Sequence, residues 1–268
     1  TVEGDIGLNN QPDDTPLAFT NFTGSTISLQ QVATEGDQTY TGAATLGGNL
    51  TANDGTILID GIATLASDIT VAAGDGVDSG TADVIFRGNV IGGDNDLVVI
   101  ADGDASADAA GNALFEGNVS GLRSLVVVAG VIEAGNITTA SPQTYSATDR
   151  MELGGTLRAT DDGDIDIDGN VVLTANSAIN VSGAAGRTSS ITIDGTVTSD
   201  SSSGPFDLTL TGAQGGITIT GAVGGAPNAS DALRLDDLTI TGPSQVSLQG
   251  VRVASSLDIQ TRSATLNG

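Results

Sequence analysis

The chain has no cysteine, histidine, lysine or tryptophan among its 268 residues. Absent cysteine, there are no disulfides and no thiolate metal sites to hold the fold together. Absent histidine and lysine, the commonest general bases and the Schiff-base nucleophile are missing. Aromatic residues make up only 3% and there are six prolines, so the core has to be built from Val, Ile, Leu and Ala. Positive charge is limited to eight arginines against 33 acidic residues, a net charge of −25. Nothing here can neutralise a row of phosphates, which excludes nucleic acid as a partner and disfavours anionic membrane surfaces. The longest apolar run, Leu125-Val126-Val127-Val128-Ala129-Gly130-Val131-Ile132, is far short of the ~20 residues of a membrane helix, so no membrane span is expected. There is no starting Met and no charged segment ahead of an apolar run, as expected of a processed product or a piece of a longer chain.

What is present is glycine, 38 residues of it, and repetition. Gln38-Thr39-Tyr40-Thr41 returns as Gln143-Thr144-Tyr145-Ser146, and Leu46-Gly47-Gly48 returns as Leu153-Gly154-Gly155. A shorter unit lies inside this long one, apolar-x-apolar-x-Gly. It reads Val84-Ile85-Phe86-Arg87-Gly88, Ala113-Leu114-Phe115-Glu116-Gly117, Ile191-Thr192-Ile193-Asp194-Gly195 and Ile217-Thr218-Ile219-Thr220-Gly221. With the further copies Ile57-Leu58-Ile59-Asp60-Gly61 and Ile165-Asp166-Ile167-Asp168-Gly169, its glycines step by 27 (61 to 88), 29 (88 to 117), 26 (169 to 195) and 26 (195 to 221). A fixed period of this size marks a solenoid, in which each unit buries its face against its neighbours.

The ordered segments alternate with period two, the pattern of strands with one buried face, and no stretch carries a helical apolar stripe. The expected fold is all-β, a right-handed parallel β-helix of about 26 residues per coil, running as one continuous solenoid over 1–268 with long repeats near 38–142 and 143–262. Ile57, Ile59, Phe86, Phe115, Ile165, Ile167, Ile191, Ile193, Ile217 and Ile219 are expected to point inward. Loops are expected at 102–111, 199–205 and 224–231. The rival architecture is two tandem β-sandwiches, since a repeat near 107 residues is also the size of an immunoglobulin-like domain. The sub-repeat and the scarcity of large rings favour the solenoid.

The recurring IxIxGxV and LxLxxG strands resemble the parallel β-helix repeats of large bacterial surface proteins, the filamentous-haemagglutinin-like adhesins and autotransporter passengers. This resemblance in pattern covers nearly the whole chain. It implies a right-handed β-helix, export and an extracellular role, and it transfers no functional residue. The expected function is a structural or adhesive segment of an extracellular fibre, giant adhesin or surface layer. A module that binds a glycan or a surface protein is the alternative, and a polysaccharide-degrading enzyme a distant third.

No catalytic constellation stands out, because repetition argues against one unique site. Asp164-x-Asp166-x-Asp168-Gly169 opens like a calcium loop, but its twelfth position is Ala175 rather than a bidentate glutamate. The corners holding Asp161, Asp162 and Asp164, and Asp94 and Asp96, are the better candidates for weak Ca2+ ligation, the one cofactor the sequence suggests. The scattered arginines are expected to pair with local aspartates. Neither end looks like a cap, so Thr1, Val2, Leu266 and Gly268 are candidate contacts for head-to-tail self-assembly or continuation in a longer chain.

Overall fold

A computed structural model describes residues 17–74, 82–101, 111–183, 188–212, 214–226 and 228–267. Strands dominate these residues, and the only helical element among them is one 3-10 turn, Asp231–Leu233. Close contacts divide the chain into two compact units, Thr1–Glu133 and Ala134–Gly268. Each unit is a parallel β-solenoid.

In the first unit one coil contributes the strands Ile57–Asp60, Ala63–Leu65 and Ile69–Ala73. Each pairs in parallel with its counterpart in the next coil: Ile57 with Val84, Ala63 with Val90, Ile69 with Leu97. The second unit repeats the arrangement, with Ile165 against Ile191, Val171 against Val197 and Ser177 against Leu208. Alternation decides which side chains enter the core. All ten expected inward residues are buried, none more than 3% exposed. They stack in register as columns such as Ile167, Ile193, Ile219 and Leu248. Phe86 lies flat on Phe115, ring centroids 5.4 Å apart, which is how a β-helix accommodates its few rings.

The coil length varies more than the sequence repeat suggests. Steps of 26 to 29 residues occur in the middle of each unit, as from Ile57 to Val84, Val84 to Ala113 and Ile191 to Ile217. Elsewhere they shrink to 19 (Gln38 to Ile57), 22 (Gln143 to Ile165) and 18 (Val246 to Ala264). Strands are conserved in register while corners absorb the difference. Two expected loops fall at such corners, between Val197–Ser199 and Leu208–Thr211 and between Gly216–Val223 and Leu235–Thr241. The third, at 102–111, lies almost wholly outside the described residues.

The repeating glycines sit where successive coils touch. A Cβ built on Gly88 would lie 2.1 Å from the carbonyl oxygen of Gly61, and one on Gly195 would lie 2.2 Å from that of Gly169. Both distances are well inside van der Waals contact, so the corner column admits no side chain.

One polar assembly is buried in each unit. In the first, Gln38 donates from Nε2 to the Thr34 hydroxyl (3.1 Å) and to the Thr51 carbonyl (2.6 Å), and its Oε1 accepts from the Tyr40 hydroxyl (2.8 Å). In the second, Gln143 donates to Thr139 (3.2 Å) and to the Arg158 carbonyl (2.7 Å), and accepts from Tyr145 (2.9 Å). The threonines donate onward to the carbonyls of Gly36 and Ser141. A satisfied network of this kind fixes one register, because a slip would orphan every member.

Candidate functional site

Many aspartates and asparagines at the corners have a structural job. Their side-chain oxygens accept the backbone N–H of the residue one coil on. Asp37 takes the N–H of Thr56 (2.9 Å), Asp83 that of Asn112 (2.8 Å), Asn89 that of Asn118 (3.0 Å) and Asn170 that of Thr196 (3.0 Å). Asn49 and Asn136, which fit a glycosylation acceptor pattern, accept from Thr70 and Thr156 in the same way.

The aspartates singled out as cation ligands belong partly to this system. Asp164 Oδ1 accepts from both the N–H (2.7 Å) and the hydroxyl (2.8 Å) of Ser190. Asp96 is gripped by Arg123, which also reaches Asp68 (3.1 Å), and it accepts from the Ser124 hydroxyl (2.7 Å). Asp94 and Asp162 occupy left-handed turn positions, at φ 66° and 63°. The backbone N–H groups of Asp94 and Asp161 bond to neighbouring coils at Gly121 and Ala140. Among the described residues no group of three or more acidic side chains is arranged to hold a metal ion. Of the candidate end contacts, Leu266 is 53% exposed on the last strand, while Thr1, Val2 and Gly268 lie outside the described residues.

The corner role and a calcium role predict opposite responses. Asp164→Asn keeps the acceptor oxygen and is expected to leave the melting temperature within about 1 °C, whereas Asp164→Ala is expected to cost about 1 kcal/mol for the lost bonds. Destabilisation by the asparagine variant, matched by a chelator on the unmodified chain, would instead indicate a bound cation.

The Arg123 clasp is electrostatic. Its side-chain hydrogen bond, assisted by Ser124, holds the Asp96 carboxyl below the usual carboxylate range. The folded form therefore binds its proton less readily than the unfolded chain. The resulting stability is present at neutral pH and is lost as pH falls through the lowered value. Arg123→Gln should thus lower the melting temperature at pH 7, with the difference closing as the pH drops below about 4, the ordinary carboxylate range.

A concavity lies in the second unit, at the corner after Gln143-Thr144-Tyr145-Ser146. It is a depression of about 350 Å3 lined by Ser146, Ala147, Thr148, Asp149, Asp168, Gly169, Asn170 and Asp194. Its origin is a mismatch of lengths. Ser146 pairs with Asp168 and Arg150 with Asn170, so three residues on one strand face a single glycine on the next. Asp168 and Asp194 stand in register on adjacent coils, and Asp194 accepts from the Thr220 hydroxyl (2.6 Å). Arg150 turns to Asp149 (2.7 Å) and Glu152 (2.6 Å). In the corresponding column of the first unit a cation intervenes: Arg87 stands between Asp60 and Glu116, 3.9 Å from each. The depression presents carboxylates, hydroxyls and an amide to solvent, a lining that suits polyhydroxyl groups better than apolar ones, though no aromatic ring lines it to stack against a sugar.

No family model, curated protein or solved structure matches the chain. The reading of function therefore rests on sequence pattern and geometry.

Proposed function

We propose that this chain is a structural and adhesive segment of a bacterial extracellular fibre, giant adhesin or surface layer, acting as a stiff scaffold that associates with itself. The observation that carries this reading is the duplicated interior. Both units build the same Thr–Gln–Tyr network and the same aliphatic columns. What the chain repeats is scaffold, and repetition of scaffold generates length and surface. A β-helix resists deformation through continuous backbone bonding between coils, and the acidic exterior keeps it soluble. The resemblance to surface β-helix repeats points the same way.

An antibody raised against the purified chain should label the exterior of intact source cells, with gold particles along filaments or a regular layer in negative-stain images. Labelling that requires cell lysis would overturn the extracellular reading. The depression at Ser146–Asp194 supports a second reading, a glycan- or protein-binding module. That reading expects binding on a glycan array that is lost with Asp168→Ala.

A further inference from the structure

The third strand of each coil in the first unit turns an aliphatic face to solvent. Ile69–Ala73, Leu97–Ala101 and the start of Leu125–Ala134 lie side by side in parallel register. Leu97, Val99 and Ala101 point into the core, as do Leu125, Val127 and Ala129. The residues between them, Val98, Ile100, Val126 and Val128, point outward and are only half-buried. Val98 stands against Val126 and Ile100 against Val128, so the branched side chains form one patch. Thr70, Ala72 and Thr51 extend it over the preceding coils. A strand with one wet face alternates apolar and polar, whereas a strand apolar at every position is the pattern of burial on both faces. Leu97–Ala101 and Leu125–Ala129 carry the second pattern with one face covered. The second unit, built on the same interior, has a different surface here. Its third strands Leu208–Thr211 and Leu235–Thr241 turn Thr209, Thr211, Thr239 and Thr241 outward in register. The stack itself therefore does not require aliphatic side chains on this side.

We propose that this face is a lateral contact between the first units of two copies of the chain. It gives the self-association of the scaffold reading a surface, and it rests on that reading only to this extent. Charge selects the occupant. None of the outward positions named is ionisable, in a chain of net charge −25. The first strands of the same coils, by contrast, lead into the exposed Asp60, Arg87 and Glu116. A cationic partner would be drawn to the carboxylate-rich corners, whereas an uncharged face is where two acidic copies can meet. The rim is adapted in the same sense. Asp68 and Asp96 immediately precede Ile69 and Leu97, and Arg123 clasps both, which removes part of the repulsion a copy would meet there. Size sets the strength. Three strands ~4.8 Å apart and about five residues long make a face of roughly 250 Å2. That is about a third of the ~800 Å2 each partner gives to a standard interface, so single chains should pair weakly and reversibly. Units arrayed along a fibre multiply such a contact. The same face used twice is isologous and closes at two copies, with the sheets packed face to face.

Sedimentation equilibrium of the 268-residue chain, from micromolar to millimolar concentration, is the test. It is run at about 50 mM and about 500 mM salt, either side of physiological screening. A reversible dimer is expected, stronger at the higher salt because repulsion is screened and the apolar contact remains. Val98→Thr, Ile100→Thr, Val126→Thr and Val128→Thr, made together, give the first unit the surface the second already carries. They should weaken the dimer at least ~10-fold, because the hydroxyls would be buried at the contact without partners. The fold should tolerate them, which circular dichroism and the melting temperature of the monomer check. Arg123→Gln frees two carboxylates at the rim and should weaken the dimer more at the lower salt than at the higher. Thr209→Glu, on the matching strand of the second unit, should leave it unchanged. A monomer throughout the range, a dimer that weakens as salt rises, a dimer unmoved by the threonine variant, or one lost equally with Thr209→Glu overturns the proposal. So does a persistent monomer whose aliphatic face captures a different protein, since the face would then belong to that partner. A failure here leaves surface labelling as an independent test of the scaffold reading, and the reverse is equally true.

Discussion

Replacing Gln143 with alanine is expected to destabilise the second unit by about 3–5 kcal/mol. The side chain is fully buried. Its removal leaves the Tyr145 hydroxyl and the Arg158 carbonyl without the partners they have at 2.9 and 2.7 Å. Each orphaned buried group costs about 1–3 kcal/mol, and the vacated volume adds a cavity term. Tyr145 cannot escape by ionising, because burial pushes its hydroxyl pKa far upward. The double variant Gln143→Ala with Tyr145→Phe should therefore recover part of the loss, since it removes one of the orphans. Urea unfolding of the single and double variants measures this coupling. Gln38→Ala tests the duplicate, where the Tyr40 hydroxyl and the Thr51 carbonyl would lose their partners. The two networks share no residue, so their costs should add.

Ile193→Ala is expected to cost about 2–5 kcal/mol, the range for truncating a packed aliphatic side chain. Ile193 is fully buried between Ile167 and Ile219, so the void would have core on both sides. Its neighbour Thr192 points outward, and Thr192→Ala should stay within about 0.5 kcal/mol. The contrast between adjacent residues, read from thermal or urea melts, checks the direction of the alternation.

The strands and the inward columns were legible because period-two alternation is a local signal, and the corner glycines were legible because they recur. Coil length was less so. The apolar-x-apolar-x-Gly pattern marks coils with long corners, while the shorter coils at Gln38 and Gln143 place polar residues at the inward positions and escape it. The Gln-Thr-Tyr repeat was visible, yet its meaning depends on Thr34 and Thr139, four residues upstream of each glutamine and joined to it only by the turn of the coil. The corner aspartates were hardest to read. Asp164 looks like a cation ligand beside its sequence neighbours, but its partner is Ser190, 26 residues away. The depression was missed for a similar reason. It arises from a mismatch between two strands that neither strand shows alone.

The central claim is that adjacent coils stack in parallel register, and pairs of introduced cysteines test it most directly in a chain that has none of its own. Thr192 and Thr218 face the same way on neighbouring coils. Their Cα atoms are separated by about one inter-strand spacing, ~4.8 Å, within disulfide range. Thr192→Cys with Thr218→Cys should oxidise to an intramolecular disulfide in the folded chain. Thr192→Cys with Ser247→Cys spans two spacings, ~10 Å, and should remain reduced under the same conditions. Equal cross-linking of both pairs, or bonding of the distant pair alone, would contradict the parallel stack.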